Sequence, residues 1–555
     1  GWPLTRAEHE WSRLIAAVAT LGHLTGILGS YFRKEINRPS LRLLIFQIIS
    51  CLMIFLLIAR EQQEAGYMRF TELSRLMITA GLIAIPTLMS LTRIFEWLVG
   101  KQKKGRPLMA PAMQFVASLG VVILAGTGLL LLPNSTYPGI TLSFTDALFT
   151  STSAVCVTGL NAVDFAHTFT PLGEMFTLAL IQIGGFGIMT FAYFVAMVAG
   201  QGFSLRDRVL LTDLLDEGNL GAVVSFITTI VVSTLFIELC GAVLLYFSWE
   251  GKDINLMGEP LWWHSLFHSV SAFCNAGFST FPMNLMEPGI RLCYSGQAVI
   301  MALIVCGGLG FGIYKEINSR LANRFFSKHR RLHMQWTPYF KLVMISTGIL
   351  LAGGALAIFA VSSPHGAEPL GEHLWICLFD SVTARTAGFN ISDYGRYLPA
   401  ASLIMCGLMM VGGSPGGTAG GMRTTTCAIA GAEILRILRG RDHVEFFRRR
   451  IDQRTVARCV ITVVVSCAWI GCFTVLICAL EPSMSSLDIF FENCSAFATV
   501  GVSRGITPDL SGPSKYLLIV NMLSGRVGLF AFLIALAGTP TPRHYRYPSV
   551  KIPLT

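Results

Sequence analysis

Charged residues are scarce in this sequence, and their scarcity limits the class of protein. Asp, Glu, Lys and Arg make up 13% of the 555 residues, whereas 53% are hydrophobic; soluble domains carry roughly 25% charged residues. Too few charges are present to cover a water-facing surface, so the composition predicts a protein embedded in a lipid bilayer. The net charge of +10 is more typical of loops that set membrane topology, and we expect no nucleic-acid partner.

Paired metal ligands and catalytic pairs are also missing. The 14 cysteines lie singly, mostly in apolar runs, with no CxxC motif, which argues against a disulfide framework and a zinc site. The histidines are isolated, so no catalytic pair supports an enzyme. A phosphate-binding GxxxxGK[ST] loop is absent as well, because Met422 and Arg423 follow Gly416 and Gly421 at that spacing. We expect neither enzymatic activity nor an organic cofactor in this chain.

Long apolar windows recur at the length of about 20 residues that spans a bilayer. Two or three of them precede residue 107, and eight follow it. Lys and Arg cluster in alternate loops between the eight, as at residues 436–454, which predicts that those loops are cytoplasmic. The eight windows are residues 112–133, 172–199, 222–246, 298–317, 342–361, 403–434, 460–480 and 517–537.

Four shorter apolar segments lie in the opposite, cation-poor loops, at residues 142–158, 262–275, 374–386 and 487–499. Each is too short to span a bilayer, and its small and polar end is typical of a re-entrant helix and loop. The four ends superimpose at intervals of about 111 to 118 residues, which indicates a fourfold internal repeat. The residues at these ends are Val157, Thr158 and Gly159; Asn275, Ala276 and Gly277; Thr386, Ala387 and Gly388; and Thr499, Val500 and Gly501.

The four loop ends suit the transfer of a dehydrated cation. Rings of backbone carbonyls can replace the water around potassium, and Gly permits the backbone angles that turn carbonyls toward an axis. One such motif alone would more often be a helix C-cap, but four copies in register favour a selectivity filter. We expect potassium to be bound at Thr158, Gly159, Asn275, Gly277, Thr386, Gly388, Thr499 and Gly501.

The helix after each loop carries a glycine cluster. In the first two copies, at residues 184–187 and 307–312, we interpret the glycines as sites of close helix packing. The third cluster excludes a regular helix, because each Gly costs about 1 kcal/mol and Pro about 3 kcal/mol relative to Ala. We expect it to form a loop in the cavity below the filter. It consists of Gly412, Gly413, Ser414, Pro415, Gly416, Gly417, Thr418, Ala419, Gly420 and Gly421.

Two arginines lie near these elements. Arg526 interrupts the last apolar window, and an intramembrane Arg normally faces a cavity or a partner, so we regard it as a candidate pore-lining residue. A snorkelling or structural salt-bridge role is the alternative. Arg385 stands beside the third loop and is expected to brace that loop, because its charge would repel a cation in the conduction path.

The four loops, residues 412–426 and the pair Gly525 and Arg526 resemble the Trk/Ktr/HKT superfamily of potassium transporters, over about residues 107–540. The third-unit loop is most similar to Ktr-type subunits, whereas an N-terminal extension is typical of Trk-type subunits. The resemblance implies potassium uptake across a cell membrane, the bacterial inner membrane in particular. It also implies a homodimer with one pore per protomer and a cytoplasmic ring of RCK subunits that bind the regulatory nucleotide.

The resemblance further assigns roles to individual residues. The loop at residues 412–421 is expected to gate the pore, and Arg526 is expected to resist ion passage below the filter. Gly159 favours potassium, because some plant relatives that transport sodium have Ser at the first filter position. Coupling to a sodium or proton gradient stays open at this point.

The sequence therefore predicts an all-α integral membrane protein with four pseudo-symmetric helix, pore-loop, helix repeats around one ion pore. The predicted boundaries are an N-terminal transmembrane extension at 1–106 and repeats at 107–205, 206–325, 326–440 and 441–555. Two other functions remain: the potassium-binding subunit of an ATP-driven pump, which shares a fourfold pore, and a membrane-embedded enzyme.

Overall fold

The computed structural model describes residues 111–187, 222–326, 336–362 and 369–537. The predicted N-terminal extension and its spans lie outside these residues. The described chain is helical apart from a hairpin of two short strands, β1 (Glu445–Phe446) and β2 (Arg449–Arg450). The helices fall into four successive units, each with a first helix, a short helix and a second helix.

The helix bounds follow the same order in every unit. The first unit contains α1 (Pro111–Leu130), α2 (Phe144–Cys156), the single turn α3 (Phe165–Thr168) and α4 (Pro171–Phe186). The second contains α5 (Ala222–Trp249), α6 (Leu261–Cys274), the single turn α7 (Pro288–Arg291), α8 (Tyr294–Leu309) and α9 (Phe311–Phe326). The third contains α10 (Pro338–Val361), α11 (Leu370–Thr383), α12 (Pro399–Met410) and α13 (Thr424–Leu438). The fourth contains α14 (Gln453–Leu480), α15 (Ser486–Ala498), α16 (Gly512–Val527) and α17 (Leu529–Ala537).

Local sequence explains where several helices begin. Thr170 caps α4 by accepting the Gly173 N–H, and Pro171 occupies the first helical position, where its missing N–H costs nothing. Thr337 and Pro338 repeat this arrangement at α10. The outer faces of the long helices are apolar and exposed, as Phe236 and Leu239 show on α5, so these faces suit contact with lipid.

The second helices are shorter than the sequence analysis expected. In the second unit the apolar window predicted at 298–317 is divided between two helices, because α8 and α9 meet at an angle of 93°. The helix expected over 172–199 ends at Phe186. The cause is the same in units one, two and four: Gly187, Gly310 and Gly528 follow the helix with φ of 77°, 92° and 88°, values that an α-helix cannot contain.

The units pack in a closed cycle. The second helix of each unit contacts the short helix of the next: α4 packs against α6, α8 against α11, α12 against α15, and α16 against α2. Each first helix also packs against the short helix of its own unit. The short helices are 13 or 14 residues long and are enclosed by the longer ones, so the chain surrounds its own four short helices.

The bend between α8 and α9 provides a test of the fold. A Cβ on Gly310 would lie 2.6 Å from the Pro415 carbonyl oxygen, at a φ of +92°. We expect Gly310→Ala to lower stability by about 1–3 kcal/mol, seen as a lower apparent melting temperature in detergent. Gly312→Ala is the matched control, because its Cβ would meet only a Tyr339 ring atom at 3.5 Å. Equal melting temperatures for the two variants would contradict the bend.

Candidate functional site

The loop after each short helix contains one residue in the left-handed conformation, which directly follows the helix in units one, two and four and comes three residues after the helix end in unit three. The left-handed region is occupied by Val157, Asn275, Thr386 and Thr499, with φ between 51° and 68°. Two residues later come Gly159, Gly277, Gly388 and Gly501, with φ of 91°, 70°, 79° and 91°. Four segments that are distant in sequence therefore turn in the same way at corresponding positions.

These glycines contact one another in a cycle. An added Cβ on Gly277 would lie 2.7 Å from the Gly388 Cα, and one on Gly388 would lie 3.3 Å from the Gly501 Cα. A Cβ on Gly501 would lie 2.9 Å from the Gly159 Cα, and one on Gly159 would lie 3.1 Å from the Gly277 Cα. We call these four residues the glycine ring, and no side chain fits at any of its positions.

Carbonyl oxygens accompany the glycine ring at every step. The carbonyl oxygen that precedes each ring glycine lies against the glycine of a neighbouring unit: Ala276 against Gly159, Ala387 against Gly277, Val500 against Gly388 and Thr158 against Gly501. The residues at the loop ends are buried. The hydroxyl oxygens of Thr158 and Thr499 are buried too and have no hydrogen-bond partner among the described residues.

Glycines of the second helices hold the short helices close. A Cβ on Gly184, Gly307 or Gly525 would collide with the carbonyl oxygen of Val155, Phe273 or Phe497, respectively. Each of these carbonyls precedes its ring glycine by four residues. The packing interpretation therefore agrees with the structure for Gly184 and Gly307, whereas Gly187 and Gly310 end helices, a role that the sequence analysis did not assign to them.

Residues 412–421 leave the helical path and contact several units. The Gly412 N–H donates to the Met422 carbonyl at 2.8 Å, which closes the base of the loop. Within the loop, the N–H groups of Ser414 and Thr418 donate to the carbonyls of Gly308 and Gly307 in the second unit at 3.0 and 3.4 Å. On the other side, a Cβ on Gly420 would lie 2.9 Å from the Thr499 methyl carbon. The loop therefore lies between units two and four, directly beside a residue that leads into the glycine ring.

Arg526 connects this loop to the first unit. Its guanidinium donates to the carbonyl oxygens of Thr418 in the loop and of Gly184 in α4. No carboxylate lies within ion-pairing distance of Arg526 in the part of the chain that the structure describes. Arg423 makes a similar contact with the Ala419 carbonyl and is a loop-stabilising residue that the sequence analysis missed. Its position directly after the loop was the available signal.

Arg385 points away from the ring contacts. Its guanidinium donates to the Thr347 carbonyl in α10 at 3.4 Å, and the side chain is buried. This contact connects the third loop to the first helix of its own unit, as expected for a bracing residue.

Side-chain hydrogen bonds and ion pairs join neighbouring units, and we call them polar clamps. They involve the fourth residue of each second helix and were not expected from the sequence. Trp263 donates to Glu174 at 2.6 Å, and Trp375 donates to Gln297 at 2.6 Å. Burial raises the pKa of the Glu259 carboxyl, which lies near the same Glu174.

The other two clamps complete the cycle. Lys515 of the fourth unit pairs with Asp146 of the first at 2.8 Å. Arg504 of the fourth unit donates to Ser402 of the third, pairs with Asp488 at 2.6 Å and donates to the Tyr394 carbonyl at 2.9 Å. All four boundaries between units are therefore held by hydrogen bonds or ion pairs close to the short helices.

Comparisons with known proteins agree with this architecture. Residues 78–547 match the family model described as TrkH, a cation transport protein. The chain is 33% identical over 442 residues to Ktr system potassium uptake protein B of Bacillus subtilis (strain 168), which covers 78% of this chain and 94% of that protein. It is 32% identical over 466 residues to the potassium/sodium uptake protein NtpJ of Enterococcus hirae, covering 82% of this chain and 99% of that protein.

A solved structure supports the fold. The potassium transporter TrkH of Vibrio parahaemolyticus superimposes with a TM-score of 0.61 at 17% identity, covering 83% of this chain and 97% of that chain. The fold is that of a predominantly helical, multi-pass membrane protein. The family match and the curated relatives define a transporter, and not an enzyme. The chain belongs to the TrkH/KtrB family of cation transporter membrane subunits.

Proposed function

We propose that this chain takes up potassium through the glycine ring, which acts as the selectivity filter. The observation that carries the proposal is the cyclic contact of the four ring glycines, with a carbonyl oxygen beside each. Such a ring supplies the oxygens that replace water around a potassium ion. The short helices end at the ring, and the carbonyl ends of helices favour cations. The relatives named as potassium uptake proteins support the choice of ion.

The filter comprises the twelve residues at the ends of the four loops, and potassium is bound at the threonine, asparagine and glycine positions predicted from the sequence. The unpartnered hydroxyls of Thr158 and Thr499 support this assignment, because buried oxygen acceptors without a donor are suited to a dehydrated cation. The same proposal includes the predicted unit boundaries, by which the four units begin at residues 107, 206, 326 and 441.

Uptake into liposomes tests the function. The purified protein should admit rubidium and potassium down a gradient without ATP, since a filter needs no energy source of its own. A pump subunit would instead require a separate ATPase. Liposomes that hold correctly folded protein and admit no rubidium under a strong gradient would overturn the proposal.

The glycine ring gives the first functional prediction. Gly159→Ser places a side chain where the backbone of Ala276 lies, so the ring must open and the preference for potassium over sodium should fall. The ratio of the two uptake rates measures this. Gly120→Ser is the control, because nothing lies within 4 Å of the position of its Cβ. A wild-type ratio in Gly159→Ser would remove this residue from the filter.

We propose that residues 412–421 and Arg526 together gate the pore. The loop lies beside Thr499, and Arg526 is hydrogen-bonded to the loop, so both lie at the entrance to one ring. A positive charge opposes cation entry by roughly 4 kcal/mol at 4 Å and an effective dielectric constant near 20, before screening.

Removing either element should raise rubidium uptake. Deleting residues within 413–420 is sterically feasible, because Gly412 and Met422 are already hydrogen-bonded. Arg526→Ala removes the charge, and the double variant should gain less than the sum of the separate free-energy effects, as contacting sites do. Arg458→Ala, on an exposed residue of α14, should leave uptake unchanged. Lower uptake in both variants, at normal yield, would mean that the loop and Arg526 hold the pore together.

We also propose that the protein forms a homodimer and docks an RCK-type ring on the cytoplasmic side, where the nucleotide binds the partner. Arg448, Arg449 and Arg450 are exposed on the β1–β2 hairpin, which is anchored by the buried Val444. Neutralising all three should weaken co-purification of the ring while the protomer stays folded. Neutralising Arg441, Arg454 and Arg458, which are also exposed, is the control. Wild-type recovery with the hairpin variant would exclude these three residues from docking.

A further inference from the structure

The short helices can be aligned by a shared hydrogen bond. In each unit the residue before the ring glycine donates its N–H to a carbonyl in the last turns of the short helix: Thr158 to Ser153 and Ala276 to Ser271 at 2.7 Å, Ala387 to Thr383 at 3.0 Å, and Val500 to Ser495 at 2.9 Å. The third unit makes this bond with one residue fewer between donor and acceptor. Aligning the four units on this bond therefore gives the equivalent positions of the short helices. Aligning them on the ring glycines would shift the third unit by one residue.

One helical turn before these acceptors lie four buried polar residues. They are Thr150, His268, Asp380 and Glu492, and each is at most 1% exposed. A buried ionisable or polar side chain must find partners or destabilise the fold. We call this set the rear positions of the filter, because each belongs to a short helix and the ring lies at the end of that helix.

Glu492 connects its helix to the chain beyond the ring. Its carboxylate accepts hydrogen bonds from the Arg504 backbone N–H at 2.8 Å, from the Thr507 hydroxyl at 2.9 Å and from the Ser503 hydroxyl. Ser503 follows Gly501 by two residues. The fourth loop is therefore held on both sides of its glycine, by the helix end before it and by Glu492 after it.

Asp380 makes a comparable connection in the third unit, to residues four to nine positions after Gly388. It accepts from the hydroxyls of Tyr394 at 2.8 Å, Ser392 at 3.3 Å and Tyr397. In the second unit His268 is hydrogen-bonded through Nε2 to the Ser279 hydroxyl at 2.9 Å, and Ser279 follows Gly277 by two residues. In three units the rear side chain is thus hydrogen-bonded to the segment after the ring glycine, and each unit uses a different residue for this.

The first unit lacks this connection. The Thr150 hydroxyl is buried and has no partner among the residues that the structure describes. The side-chain amide oxygen of Asn161, two residues after Gly159, is also without a partner within those residues. The first unit is therefore an internal control, because three rear positions hold the loop and this one does not.

We propose that His268, Asp380 and Glu492 are positioning residues that determine the cation selectivity of the glycine ring. The inference rests on the proposed function and goes beyond it, because none of these side chains belongs to the ring. A loop fixed at both ends resists contraction around an ion smaller than the one its carbonyls fit. Loss of the rear connection lets the carbonyls move inward, and the penalty for binding the smaller ion falls.

Isosteric amides test the two carboxylates. Asp380→Asn and Glu492→Gln each remove the negative charge to which these hydroxyl and N–H groups donate, and each leaves one acceptor oxygen where the carboxylate had two. A loss equal to the net contribution of one ordinary hydrogen bond suggests a fall of about threefold to tenfold in the potassium-to-sodium ratio. The ratio of rubidium to sodium tracer uptake into liposomes measures it. Thr150→Val, at the equivalent position without a partner, should keep the wild-type ratio.

A double-mutant cycle tests whether the effect runs through the rear connection. Thr507→Val removes one donor from Glu492, and Tyr397→Phe removes one from Asp380. Each should lower the ratio alone and add less in the background of its own amide variant, because the pair acts through one contact. These single hydroxyl deletions also decide the question if the amide variants do not fold.

The outcomes separate the two levels of the proposal. Wild-type protein that carries no rubidium would overturn the proposed function itself. If the wild-type protein is selective and the variants keep its potassium-to-sodium ratio, only the role of the rear positions is overturned. The same holds if the variants lose uptake of both ions equally. A lower ratio in Thr150→Val as large as that in Glu492→Gln would also overturn it, since packing alone would then account for the effect.

Discussion

The close approach of the four ring glycines is the constraint on which the rest of this structure depends. Residues 159, 277, 388 and 501 can meet only if no unit places a Cβ there. The turn that brings each glycine to the ring needs a left-handed residue two positions earlier, and four short helices must converge behind these turns. Gly184, Gly307 and Gly525 permit that convergence, since any side chain at these positions would collide with a short-helix carbonyl.

Non-helical backbone inside a membrane must also find hydrogen-bond partners, because lipid supplies none. The loop at residues 412–421 satisfies this requirement through carbonyls of Gly307 and Gly308 and through two arginines. Arg526 donates to backbone carbonyls of two units. A guanidinium in this position satisfies carbonyls that have lost their helical partners. Under the gating role that we propose, the same residue combines structural support with an electrostatic barrier.

The sequence predicted the features that have an unambiguous local signal and missed those that do not. Four loop ends in register and the low helix propensity of residues 412–421 were local signals, and the TrkH/KtrB family and membrane class are confirmed. The ends of helices at Gly187, Gly310 and Gly528 were missed, because single glycines in an apolar run fit both a packed helix and a break. The clamps at Glu174, Gln297, Ser402 and Lys515 join residues at least 78 positions apart in sequence, where no periodic pattern connects them.

A single chain with four unequal units can place different residues at equivalent positions, which a symmetric tetramer cannot do. The loop of the third unit already contacts units two and four and reaches the first through Arg526. Four copies of this loop would compete for the same space below the ring, so only one unit can carry it. The clamps follow the same logic: Glu174, Gln297, Ser402 and Lys515 occupy one equivalent position, yet one is an anion and one a cation. Identical charges at all four sites would repel one another, whereas the unequal residues let each boundary use a different pairing while the ring glycines stay the same.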